Sequence, residues 1–536
     1  MQGIIWRKSA TMRFTGFLVS LLLWTVSAVA QDNDVDAAAH FKDAMKAVET
    51  QDYDKALKEL AIARKATPEA DDSFKVILKW QGFIHLRAGK FQDAIEPLKL
   101  LTDKDPKDAE ALLNLGNAYE GMGDTSHPDA IKTYLKAVEA DKRLADPHFN
   151  LGNLYYKKRD YPNSIKYYKN AANLNKKDSG IPFNLGHTYF ASKDYKNALD
   201  AYSTAAKLTE DDKEVPTSHK AKVYRHVGIA NLYMGRETKS ATYFSASTVA
   251  FKRSTDMNGQ DQDARMLYGE ALMELGESEP AAAQFLAAAK IDDTKYEAHY
   301  NRGQALSRKV NNVPLQVEAA LEFKRAKELA GDATQIRNAL QGLAIAQMNS
   351  KSPETEKTFL ELTMKFPQFG EAWTNLALSR ARNADIDGAI DALQKGQASV
   401  TSAKEQAKIL RALGAFYIEK ATKGLKPGAT GNTALIGKAQ EAFNKSLTLE
   451  SDMPDAYHGL GLAASWLGQL DDAIKNFDRA IRLKPKYAAA YNDLGAVYIA
   501  KKNKAQALKN FQKAVDLEEN DTYSKNLEEI KKQMKN

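Results

Sequence analysis

Three short stretches carry residue types that could support catalysis or cofactor binding. GLGLAA at 459–464 has the glycine spacing of a dinucleotide loop. Gly437-Lys438 resembles the end of a phosphate loop, and Asp471-Asp472 sets two carboxylates side by side. Each fails on its context. A dinucleotide loop follows a strand inside a βαβ unit, whereas 459–464 lies within an apolar pattern of helical period. Ala439 stands where a phosphate loop needs Ser or Thr, and the earlier glycine is missing. The paired aspartates fall in a polar turn, with nothing to make one an acid and the other a base. The nine histidines form no H-E-x-x-H pair, and His219 and His226 lack carboxylates at ligand spacing. With no cysteine there is neither a thiolate site nor a cysteine nucleophile. No catalytic residues, metal or cofactor are therefore expected.

Binding is a different matter, because one polar residue recurs with a regular neighbourhood. Asn114 opens NLGNAYE at 114–120, Asn150 opens NLGNLYY at 150–156, and Asn184 opens NLGHTYF at 184–190. On a helical wheel centred on Leu115 at about 100° per residue, Leu112, Gly116 and Tyr119 share the sector that packs on a partner helix. Asn114 and Asn117 fall opposite, as do Asn150 and Asn153 in the next copy and Asn184 and His187 in the third. Phe149 and Phe183 lie on the flanks. Stacked copies should align Asn114, Asn150 and Asn184 as a ladder whose carboxamides, both donor and acceptor, could hold the backbone of an extended peptide. The flanking aromatics could bury its apolar side chains. Lys222, Arg225 and His226 add positive charge nearby, suited to an acidic ligand end.

The elements that position these residues are repeated. Residues 487–520 place Tyr491, Leu494-Gly495, Tyr498, Ala507, Phe511 and Ala514 in order; the preceding stretch has Tyr457, Leu460-Gly461, Ala473, Phe477, Ala480 and Pro485. A period near 34 residues with this pattern resembles the tetratricopeptide repeat family. The small residue of the first helix recurs at Ala44, Gly82, Gly116, Gly152, Gly186, Gly228, Gly269, Gly303, Leu343, Ala377, Gly414, Gly461 and Gly495. That of the second follows at Ala56, Ala94, Ala130, Ser164, Ala198, Ser240 and Ala281, and Pro68, Pro106, Pro367 and Pro485 close units. The resemblance implies an all-α, right-handed superhelical solenoid of about thirteen helix-turn-helix repeats over 37–520, with the Asn-bearing surface lining a concave groove. Residues 521–536 read as a polar-faced capping helix. Insertions at 211–220 and 254–261 should lengthen joints, and 422–437 should form a projecting loop. The family's carboxylate clamp would need a lysine where Phe149 stands, so that mode is not expected.

The ends and the charge balance narrow the setting. Arg7, Lys8 and Arg13 precede an apolar run ending in Ala28-Val29-Ala30, the pattern of a secretory signal peptide over 1–30 followed by a linker at 31–36, with Met1 or Met12 as the start. Setting aside those three cations, with no acid among the first thirty residues, lowers the net charge from +7 to +4. Such a mixed surface does not suit nucleic acid, and the basic runs at 157–170 and 501–513 read as solvated helix faces. No stable membrane span is expected after cleavage, although peripheral association with an envelope is compatible with the pattern. The expectation is an exported, bacterial periplasmic or secreted scaffold for peptides or partner subunits. The alternative is a structural subunit of a cell-envelope assembly or polysaccharide-export machine.

Overall fold

The computed structural model describes residues 36–425 and 431–535. Twenty-seven α-helices and one short 3-10 turn, Asp124–Ser126, make up its regular structure. No described helix is long and apolar enough to cross a membrane. The signal peptide and nearly all of the linker expected at the N-terminus lie outside the described residues. The chain divides into two compact units, up to Glu277 and from Ser278 onward.

The first unit is a run of packed hairpins. Helix α1 (Ala37–Glu49) packs on α2 (Tyr53–Ala66), α3 (Asp72–Arg87) on α4 (Phe91–Lys104), and α5 (Ala109–Gly121) on α6 (His127–Ala140). Helix α7 (Ala145–Lys157) pairs with α8 (Tyr161–Leu174), α9 (Gly180–Ala191) with α10 (Tyr195–Asp211), and α11 (Thr217–Thr238) with α12 (Ala241–Met257). Helix α13 (Gln262–Glu274) packs on α12.

The second unit opens with α14 (Ser278–Ile291) against α15 (Tyr296–Ser307), which pairs with α16 (Val313–Leu329). Then α17 (Ala333–Asn349) packs on α18 (Thr355–Lys365), α19 (Gly370–Arg382) on α20 (Ile386–Ser399), and α21 (Ala403–Thr422) on α22 (Thr433–Leu449). Helices α23 (Pro454–Trp466) with α24 (Leu470–Leu483) and α25 (Ala488–Ala500) with α26 (Lys504–Leu517) complete the hairpins. Helix α27 (Asp521–Lys535) lays Leu527 and Ile530 over Ala507 and Phe511 of α26. In each unit, hairpins also pack on their sequence neighbours, as a solenoid requires.

One contact repeats through both units. A ring from the second helix lies directly on the glycine of the first: Tyr134 on Gly116, Tyr168 on Gly152, Tyr202 on Gly186, Phe251 on Gly228, Phe477 on Gly461 and Phe511 on Gly495. A Cβ at these glycines would stand 2.4–2.8 Å from the ring, so only glycine admits the approach. The turns are built alike as well. At Arg159-Asp160 and Lys193-Asp194 the first residue takes a left-handed φ of 59° or 63°. The aspartate then accepts from the backbone N–H three residues on, satisfying an orphan donor of the new helix.

Three departures from the sequence pattern have physical reasons. The surplus near 211–220 lengthens the end of α10 and the start of α11 rather than the joint, and the second surplus lies not at 254–261 but between Gly228 and Phe251, in α11 and α12: α11 has 22 residues where α7 has 13. A second glycine-ring contact, Gly235 under Phe244, lies seven residues from the first. Seven residues, about one turn in each helix, were therefore added in phase. Consequently the buried serine of α12 is Ser247, which donates to Gly228 O at 2.8 Å as Ser164 does to Gly152 O, and Ser240 is only the cap position. In the poorest repeat, Leu343 is a buried core residue, and the adjacent Gly342 makes its close approach to Phe323 of the preceding hairpin rather than to a ring of its own. Finally, α22 begins at Thr433, so the expected loop at 422–437 is shorter; residues 426–430 of it lie outside the described residues.

Candidate functional site

Helices α5, α7, α9 and α11 are successive first helices of their hairpins, and they carry the recurring Asn, His and basic residues. In three consecutive hairpins the ring over the glycine is tyrosine, and each hydroxyl meets a polar residue one position after that glycine. Tyr134 Oη lies 2.8 Å from Asn117 Oδ1 and 3.0 Å from Glu120 Oε2. Tyr168 Oη donates to Asn153 Oδ1 at 2.5 Å, and Tyr202 Oη lies 3.0 Å from His187 Nδ1. Burial pushes all three phenols well above their ordinary range, so they stay protonated donors. Phenylalanine holds the ring position in α12, α16, α22, α24 and α26. The Tyr-for-Phe exchange at 134, 168 and 202 was the sequence signal for this polar stretch. Replacing Tyr168 by Phe should cost about 1–2 kcal/mol in urea denaturation, because Asn153 then keeps a buried, unpaired acceptor.

This geometry corrects part of the helical-wheel picture. Asn117, Asn153 and His187 face the tyrosine of their own hairpin rather than away from it. Phe149 and Phe183 are core residues, not edge aromatics. Asn114 and Asn150 are half-buried, and Asn150 Nδ2 donates to Asn117 Oδ1 of the preceding hairpin at 2.9 Å. The three leading asparagines therefore do not join as one ladder. Asn184 differs from both others: only 1% of it is exposed.

Around Asn184 the surfaces of α9 and α11 gather polar groups that lack partners among the described residues. Both amide atoms of Asn184 are buried without a hydrogen bond, as are His187 Nε2 and Arg225 Nε. The rings of His187 and His226 are 4.6 Å apart, and Phe183 packs 5.1 Å from His226 and 5.8 Å from His219. The Lys222 ammonium rides 5.6 Å above the Phe183 ring. Part of the cover comes from the lengthened α11, whose first turn, absent from shorter first helices, carries His219; Lys222 follows at the level where α7 begins.

The cluster is short of negative charge. Arg225 reaches Asp261 at 3.0 Å and Asp263 at 3.8 Å, whereas no described carboxylate pairs with Lys222. Burial, then the neighbouring Arg225, holds the Lys222 ammonium below its ordinary range. Burial, His226, Lys222 and Arg225 together hold His187 well below the usual imidazole value. His226 is lowered to about 4, chiefly by burial, against a Nδ1 contact of 2.8 Å to Lys222 O. That contact places the neutral ring's proton on Nδ1. The unpaired atoms are thus mostly N–H donors in a buried, electropositive setting, the chemistry that receives a carboxylate. Among the described residues, no three His, Asp or Glu side chains are grouped to hold a metal ion.

Stacked helical hairpins with a glycine-ring seam define a helical-repeat protein, and sequence comparison identifies the repeat. Tetratricopeptide repeat models match residues 126–159, 145–178, 183–212, 244–296 and 452–520. The chain is a tetratricopeptide-repeat protein. Mouse superkiller complex protein 3 is 33% identical over 113 residues, 20% of this chain; the match spans 6% of that protein's length. Among solved structures, YrrB, described as a tetratricopeptide protein with an unusual peptide-binding site, is 21% identical. It covers 39% of this chain and 97% of its own, with a TM-score of 0.33. Yeast Tom70 is 16% identical, covers 88% and 97%, and has a TM-score of 0.35.

Proposed function

We propose that this protein is an exported interaction scaffold that captures an extended, acidic segment of a protein partner between α9 and α11. The observation that carries the reading is the set of buried polar atoms of Asn184, His187 and Arg225 with no internal partner. A buried polar group left unpaired costs about 1–3 kcal/mol, so a core built for stability alone would not retain three together. A carboxylate between them would accept from Asn184 Nδ2, His187 Nε2 and Arg225 Nε and offset the Lys222 charge. The hairpins are folded before binding, which limits the ordering entropy that a partner must overcome. Export rests on the Ala28-Val29-Ala30 ending of the first thirty residues, and N-terminal sequencing of the mature protein from its source would locate the cleavage.

Asn184→Leu separates a binding role from a packing role. Leucine has similar volume and no polar atoms, so the ligand-free variant should gain about 1–2 kcal/mol in urea denaturation. Its affinity for an alternating Glu-Ser decapeptide, read by fluorescence polarisation, should fall at least tenfold. The Gln-Ser counterpart should bind neither protein. A destabilised Asn184→Leu variant that still bound the acidic peptide at full strength would refute the reading.

A further inference from the structure

The turns inside the hairpins of the first unit differ in what they carry at their left-handed position. Gln51 holds it in the first hairpin, Gly89 in the second and Gly276 after α13, with φ of 58°, 71° and 80°. In the fourth, fifth and sixth hairpins it falls to Arg159, Lys193 and Lys239, with φ of 59°, 63° and 54°. Glycine adopts this conformation freely, whereas a Cβ there crowds the following carbonyl oxygen. Three successive hairpins thus keep a cation where conformation alone favours glycine. Among the described residues of the second unit, the left-handed series runs Lys351, Ala384, Gly424, Gly468 and Lys502, so no two cations follow one another. Arg159, Lys193 and Lys239 are exposed, as are Lys158 and Lys196 beside them. None of the five pairs with a carboxylate among the described residues.

The acids of these turns are already engaged. Asp160 and Asp194 cap α8 and α10, and the second oxygen of each accepts from the Asn163 or Asn197 side chain at 2.7 Å. Glu120 is buried and paired with Lys157 at 3.3 Å. Arg236 is taken by Glu270 and Glu274 at 3.0 and 2.9 Å, which leaves Glu237 as the exposed carboxylate of the three turns among the described residues. Half-buried Tyr161 and Tyr195 follow the two caps. Tyr233, 37% exposed, sets its ring 5.1 Å from that of Tyr195, which brings the fifth and sixth hairpins side by side near their turns. Arg159 and Lys193 each stand seven residues past the glycine of their hairpin and Lys239 eleven, an offset of about 6 Å at 1.5 Å per residue. A headgroup layer is about 5–7 Å deep on each side of a bilayer and takes up that offset. We propose that this edge rests on an anionic lipid surface, the five unpaired cations reaching its phosphates and the tyrosines lying at headgroup level. The cations sit on separate turns of successive hairpins rather than around one point, which suits a plane of many phosphates. Tyrosine, apolar in the ring and polar at its tip, settles at such an interface. The acidic-segment reading does not enter here, since Arg225 lies eight residues, about 12 Å, along α11 from Tyr233.

The test is flotation of the mature protein with vesicles of phosphatidylcholine, either alone or with one-third phosphatidylglycerol. Wild type should float with the anionic vesicles, stay unbound with the neutral ones and come off as NaCl rises to about 0.5 M. Arg159→Asn, Lys193→Asn and Lys239→Asn together should weaken binding about a hundredfold, at roughly fivefold per cation. Asparagine tolerates the left-handed turn, so this variant should unfold at no lower urea concentration than wild type, which separates lost binding from lost folding. Removing three exposed cations of the second unit instead, by Lys324→Gln, Lys351→Asn and Lys502→Asn, should change binding less than twofold. Equal flotation with neutral and anionic vesicles, or equal losses in the two triple variants, would overturn the proposal. So would wild-type protein that ignores both kinds of vesicle yet is retained on heparin through the same three cations, because the edge would then face a soluble polyanion. None of these results bears on the acidic-segment reading, whose peptide assay contains no lipid.

Discussion

Gly186→Val should destabilise the first unit by about 3 kcal/mol in urea denaturation, whereas Gly437→Ala should stabilise the second by about 1 kcal/mol. Both glycines sit in helices, so propensity alone would favour replacing either one. They differ in what a side chain would meet. A Cβ at Gly186 would lie 2.6 Å from Cδ1 and Cε1 of Tyr202, while nothing stands within 4 Å of one at Gly437. Nor can Tyr202 swing aside. Its ring packs against Phe183, His187 and His226 at 5.4–5.7 Å, and its hydroxyl is held at His187 Nδ1. Valine adds two further methyl carbons and β-branching, so the hairpin must open. A double-mutant cycle with Tyr202→Leu checks the cause, because Leu98 fills this place over Gly82 in the second hairpin. Relief of at least about 1 kcal/mol is expected for contacting residues. Additive losses would mean that the seam is not what Gly186 protects.

The same seam marks how far the sequence could be read. Leu-Gly-x-x-Tyr in the first helix and the aromatic of the second fall within one hairpin, so local spacing specifies their contact. Helix existence and pairing followed from that short range. The site did not. A helical wheel fixes angles about one axis and says nothing of what the next hairpin lays across it. Asn114 and Asn184 have the same wheel position, yet one is half-buried and the other sealed. Part of the seal comes from the extra first turn of α11, and the seven residues added between Gly228 and Phe251 keep the apolar phase intact. Read as a string, such an insertion looks like a longer joint, which is how Ser240 came to stand for Ser247. The direction of Asn117, Asn153 and His187 was legible in principle through the tyrosines opposite them.

Acid should weaken the empty protein and tighten its hold on an acidic ligand. In the fold, His187 and His226 sit below their ordinary imidazole range, His226 at about 4, so the unfolded chain binds protons that the native protein refuses. Their contribution is complete above about pH 6.5 and is lost as pH falls from there toward about 4. For His226 the loss is on the order of 3 kcal/mol. His85, His148 and His219 shift in the same direction through burial, so the variant to compare is His226→Gln, which leaves them in place. From pH 7.5 to 5.0, in the window before carboxylates protonate, wild type should lose at least about 1 kcal/mol more than His226→Gln in urea denaturation. A bound carboxylate reverses the sign at the site. It supplies the negative charge that burial, Lys222 and Arg225 leave wanting, so a proton on His226 Nε2 becomes a donor to the ligand rather than an uncompensated charge. Affinity for the Glu-containing peptide should therefore rise as pH falls from 7.5 to 5.5, and His226→Gln should flatten that rise. Equal stability slopes in the two proteins, together with peptide affinity that falls in acid, would show that the histidines are packed rings with no part in holding an anion.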